Sequence, residues 1–76
     1  MDYAQRITVD PLVCFGKPCI RGRRIWVSMV LDLLATGKTM ADICAEYELE
    51  DDDIRACLGY AAAIADERIV EVRPSA

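Results

Sequence analysis

Hydrophobic and polar positions follow two different periods along this 76-residue chain, and the switch between them divides it. Residues 6–10, Arg6-Ile7-Thr8-Val9-Asp10, alternate polar and apolar and halt at Pro11, the pattern of a short strand with an open edge. Leu12 to Phe15 reads as a loop with apolar anchors. Two further extended pieces, Cys19-Ile20-Arg21 and Arg24-Ile25-Trp26, flank Gly22-Arg23, where the access of glycine to positive φ suits a tight hairpin turn.

From Val27 onward the period becomes helical. Val27, Val30, Leu31 and Leu34 fall at i, i+3, i+4 and i+7 and predict a helix over residues 27–36, closed by Gly37 at the C′ position. Met29 and Leu33 add a second apolar stripe, which places this helix centrally or between subunits. Thr39 is an N-cap with Asp42 at the capping-box position, and Met40, Ile43, Cys44 and Tyr47 form the buried face of a short second helix. After a break near Glu48-Leu49, the run Asp51-Asp52-Asp53 occupies the first turn of a third helix, where carboxylates favour the positive end of the helix dipole.

The core face predicted for that helix is Ile54, Cys57, Leu58, Ala61 and Ala65. Tyr60 and Ile64 lie off it, among the small residues Gly59, Ala61, Ala62 and Ala63, so that Tyr60, Ala63 and Ile64 mark a candidate dimer seam. Residues 68–73 are β-rich, stop at Pro74, and form a candidate last strand able to pair with the first, within the chain or across a dimer. The expected fold is mainly α: a three-helix bundle of helix-turn-helix plan with a short N-terminal β-hairpin, in one domain over residues 1–76.

Composition adds a partner to this picture. A chain this short buries only about 60% of its unfolded surface, yet 54% of its residues are hydrophobic. A homodimer or a permanent partner is expected. No apolar run approaches the roughly 18 residues of a membrane span, and the N-terminus lacks the order of a signal peptide, which predicts a cytoplasmic protein without membrane contact.

The net charge of −4 is unevenly spread. Residues 1–38 carry six basic and three acidic side chains, a net of +3, whereas residues 39–76 carry three basic and ten acidic ones, a net of −7. The positive excess is concentrated in Lys17, Arg21, Arg23 and Arg24. That loop either holds an anion or is a solvated turn.

Catalytic chemistry finds no support. Histidine is absent, Ser28 and Ser75 have no evident activating partner, and the carboxylates cluster at a helix start rather than in an apolar pocket. Gly16-Lys17-Pro18 lacks the glycine spacing and the following Ser or Thr of a phosphate loop. Cys14, Cys19, Cys44 and Cys57 are separated by five, twenty-five and thirteen positions. Zinc sites space paired ligands two to four apart, so buried, reduced cysteines are expected and no metal or cofactor, with Cys14 and Cys19 the remote exception.

The second and third helices match a helix-turn-helix, but DNA reading predicts cations at the start of the third. This chain places Glu50, Asp51, Asp52 and Asp53 there, which would oppose phosphates.

Val9-Asp10-Pro11, then residues 15–25, Phe15-Gly16-Lys17-Pro18-Cys19-Ile20-Arg21-Gly22-Arg23-Arg24-Ile25, and the helix that follows resemble the signature of the bacterial domain-of-unknown-function family 433. That signature runs Asp-Pro, Gly-Lys-Pro, Ile-Arg-Gly-Thr-Arg-Ile-Pro-Val. The match continues through Ile43, Tyr47, Leu49, Asp53-Ile54-Arg55 and Leu58-Gly59-Tyr60-Ala61, covering about residues 7–65. The resemblance implies a homeodomain-like trihelical domain with an N-terminal hairpin, often dimeric, and a role as antitoxin in a type II toxin–antitoxin pair beside a PIN-like nuclease toxin. The family's Thr and Pro are Arg23 and Trp26 here.

On that reading the acidic half mimics nucleic acid in the toxin's basic cleft through Asp51, Asp52 and Asp53. The alternatives are a transcriptional regulator that holds operator DNA through Lys17, Arg21, Arg23 and Arg24, and a purely structural dimer. Arg21 and Arg24, where the family also carries arginine, are expected as braces, and Arg23 as the contact peculiar to this chain.

Overall fold

The structure, a computed structural model, describes residues 5–67. Strands β1 (Ile7–Thr8), β2 (Cys19–Ile20) and β3 (Ile25–Trp26) form an antiparallel sheet in that order. The register sets Ile7 beside Ile20 and Ile20 beside Ile25, so three isoleucines form one row on the face that packs against the helices. Thr8, Cys19 and Trp26 form the other row.

The first strand is shorter than residues 6–10. Asp10 leaves the ladder to bridge Val13, and its side chain accepts the Leu12 amide at 2.8 Å. An Asx turn therefore competes with strand pairing at the residue before Pro11. The expected hairpin is present as β2 and β3, joined by residues 21–24, so Arg21 and Arg24 belong to the turn and not to the strands. Arg23 N donates to Ile20 O at 3.0 Å, and Gly22 at φ +78° takes the position that a type II turn reserves for glycine. Because β1 pairs with β2, the strand row has three members; the strand expected at residues 68–73 lies outside the described residues.

Helix α1 (Val27–Ala35) begins directly after β3. Its first amide donates to Pro18 O at 3.0 Å, fixing the helix start to the β2 approach. Gly37, at φ +101°, lets Lys38 N reach back to Leu33 O at 3.0 Å and close the helix. Helix α2 (Met40–Tyr47) opens on the expected capping box: Asp42 N donates to Thr39 Oγ1 at 3.1 Å and Thr39 N to Asp42 Oδ2 at 3.4 Å. It ends at Glu48, left-handed at φ 55°, and Leu49 N then bonds Cys44 O at 3.0 Å while the Leu49 side chain enters the core.

Helix α3 (Asp51–Glu67) crosses α1 and α2. Val27 and Val30, Ile43, and Ile54, Ala56 and Cys57 are the buried contributions of the three helices, completed by Ile7, Ile20 and Leu49. The described residues thus form three helices preceded by a three-stranded antiparallel sheet.

The α3 face is rotated from the expected one. Ile54 and Cys57 point inward, but Ala56 is wholly buried, Leu58 is 43% exposed, and Ala65 is exposed. Tyr60, expected off the core face, packs against the core. The small Ala56 and Cys57 sit where α3 meets the other helices, and bulk at Leu58, about 100° further round the helix, faces solvent.

Candidate functional site

Three surfaces carry the side chains that the sequence marks. The first is the start of α3. Asp53 is held there by its own chain: its Oδ2 accepts Glu50 N at 2.9 Å, and its amide donates to Glu50 O at 2.9 Å. The same carboxylate receives Arg6 Nη1 at 3.0 Å. Arg6 also reaches Glu50 at 3.4 Å and Asp52 at 3.7 Å, and the Asp53 hydrogen bond with these neighbouring charges raises the Arg6 pKa further above its ordinary value.

Asp51 accepts the Cys44 thiol at 3.6 Å. Asp51 and Asp52 remain exposed, whereas Asp53 is largely covered. Arg6 is the residue that sequence reasoning missed. It precedes Asp53 by 47 positions, and only the packing of β1 on α3 brings the two together.

The second surface is the basic hairpin. Arg23 reaches across to the end of α2, donating Nη2 to Tyr47 O at 3.0 Å and to Glu48 O. It therefore braces the helix terminus, at the position marked in the sequence for a contact peculiar to this chain. Arg21 Nη2 lies 3.5 Å from Ile7 O. Lys17 sits over the Trp26 ring, 4.5 Å from its centre, a cation–π contact available because Trp26 replaces the family's proline. Arg24 is exposed in the turn at φ +56° and borders a cleft with Leu12, Phe15 and Trp26.

The third surface is an apolar groove of about 360 Å³ between α1 and α3, lined by Pro18, Val27, Leu31, Tyr60, Ala61 and Ile64 among others. Of the seam residues, Tyr60 and Ile64 line this groove and Ala63 is half-buried beside it. Its carbon lining offers a ligand packing and little chemistry.

The thiols are all free; Cys19 and Cys57 are buried, but Cys14 and Cys44 only half-buried, short of the burial expected. Burial, then a hydrogen bond with Cys14, pushes the Cys19 pKa up to about 11. Burial does the same to Cys57, also to about 11, with a smaller contribution from Asp53. Cys44 is raised by burial and by Asp51. Neutral thiols, not thiolate nucleophiles, are the forms that these sites favour. Among the described residues no group of three or more Cys, Asp or Glu side chains is arranged to hold a metal ion, and no helix is long and apolar enough to cross a membrane.

These surfaces belong to a small domain in which a β-sheet leads into three helices. A family model described as "Protein of unknown function (DUF433)" matches residues 7–61, and the chain belongs to that family. The chain is also similar to a DUF433 member protein from Anabaena variabilis ATCC 29413, known from a crystal structure at 2.00 Å resolution, with 27% identity and a TM-score of 0.75. That likeness covers 87% of this chain and 70% of the other. No curated protein matches.

Proposed function

We propose that this protein is a non-enzymatic, antitoxin-like module that dimerises and neutralises a PIN-like nuclease partner. The observation that carries the reading is the exposed acidic turn between α2 and α3. Glu48, Glu50, Asp51 and Asp52 all face solvent there, with Arg6 the counter-ion on one flank. The three-residue connection between α2 and α3 supports a helix-turn-helix plan of homeodomain-like kind. Carboxylates at that turn repel DNA phosphates and suit a basic cleft built for nucleic acid. Asp51 and Asp52 are the contact residues on this reading; Asp53 shapes the helix start that presents them.

The rival regulator reading uses the basic hairpin, where Arg23 and Lys17 already have intrachain contacts. Co-expression of the full chain with an adjacent PIN-like nuclease tests the choice. Asp51→Asn with Asp52→Asn should abolish co-purification and release nuclease toxicity while the chain still folds cooperatively. Capture that survives this double change sinks the mimicry reading. Salt-sensitive binding of upstream DNA that disappears with Arg24→Ala would establish the regulator instead.

A further inference from the structure

Leu12 and Phe15 are 93% and 91% exposed, yet the loop that carries them is closely specified. Asp10 accepts the Leu12 amide at 2.8 Å through its side chain and the Val13 amide at 2.9 Å through its carbonyl. Gly16 N donates to Val13 O and Lys17 N to Cys14 O, both at 3.0 Å. Cys14, Phe15 and Gly16 follow one another at φ 53°, 58° and 80°. Two non-glycine residues in succession therefore hold a backbone conformation that L side chains seldom adopt. The result is a preformed knob, an aliphatic and an aromatic side chain held in water by a backbone fixed before any partner arrives.

The groove between α1 and α3 is its counterpart. It is apolar along Val27, Leu31, Tyr60, Ala61 and Ile64, with about 360 Å³ of space, and an aromatic anchor in an apolar pocket is the arrangement that concentrates binding energy. Charge matches as well. Arg24 lines the cleft beside Leu12 and Phe15, and Lys17 follows the loop. Asp66 and Glu67, both exposed, follow Ile64 and Ala65 at the end of the groove. Every chain carries both halves of this contact, so two copies can cover knob and groove together.

We propose that Leu12 and Phe15 of one copy seat in the α1–α3 groove of a second copy, which returns the same contact by two-fold symmetry. This names the contact behind the dimer and rests on the self-association in the proposed function. Sedimentation equilibrium of the full chain, alone and with Leu12→Ser and Phe15→Ser combined, measures it. Both side chains are exposed on the single chain, so the variant should still fold cooperatively, its melting point lowered only by the lost association, while the dimer dissociation constant rises about thirtyfold or more.

In a mixture of isotopically light and heavy chains, p-benzoylphenylalanine in place of Phe15 should give mixed-isotope cross-links to residues 60–65. An unchanged dissociation constant, or cross-links confined to one chain or to other surfaces, overturns the knob contact and leaves the dimer standing. A wild type that stays monomeric overturns both.

Discussion

Arg6 Nη1 lies 3.0 Å from Asp53 Oδ1, fastening the approach to β1 onto the first turn of α3. Glu50 and Asp52 share the same guanidinium at longer range. Arg6→Ala leaves those carboxylates without their cation, and the repulsion among them then acts on the folded state. The melting temperature should fall at low ionic strength, and the gap from wild type should narrow in about 1 M salt, where the screening length is about 3 Å. A gap that does not change with salt would mean that the Arg6 stem, not its charge, does the fastening.

Asp53 has a second duty, since its carboxylate accepts the Glu50 amide. Asp53→Ala should therefore cost about 1 kcal/mol in urea unfolding, the usual net loss for a hydrogen bond. Asp52→Ala, at an exposed position whose one ion pair among the described residues is the 3.7 Å contact with Arg6, should stay within about 0.5 kcal/mol of wild type. Equal costs for the two would remove the distinction between the structural and the presented carboxylate.

At the other end of the helix pair, Arg23 donates to the Tyr47 and Glu48 carbonyls, which α2 leaves without helical donors. Arg23→Ala should cost about 1 kcal/mol. Glu48 holds φ 55° at that terminus, so Glu48→Gly should stabilise the protein by about 1 kcal/mol by relieving a left-handed side chain. Thermal melts of each single variant and of the pair measure both effects; the two act on one helix end and need not add.

The elements governed by short-range rules were legible in the sequence. Thr39 and Asp42 stand three apart on one chain segment, and the capping box they encode is the one found. Gly22 and Gly37 mark two of the glycine turns by the same local logic. The rotation of α3 was not legible, because Ala56 and Leu58 differ in which side meets a neighbour, and hydrophobicity alone favours the larger residue. The roles of Arg6 and Arg23 were hidden for a related reason. Their partners are 47 and 24 positions away, and charge patterning records only neighbours along the chain.

The buried thiols give the chain a predictable pH response. Cys57 is wholly buried on α3, and burial raises its pKa to about 11. The unfolded chain loses that proton near the ordinary thiol value of about 8.5, whereas the folded chain keeps it. The neutral thiol therefore contributes stability that is fully present below the unfolded value and is lost as pH rises through the folded one. Between those limits the loss is about 1.4 kcal/mol per pH unit for one thiol.

Cys19, also held up to about 11, adds a similar slope. Urea unfolding from about pH 8 to about pH 10 should show wild-type stability falling along both contributions. Cys57→Ala should start lower, because it removes a buried sulfur, yet fall less steeply with pH. Parallel slopes for the two proteins would show that Cys57 ionises as readily in the folded chain as in the unfolded one.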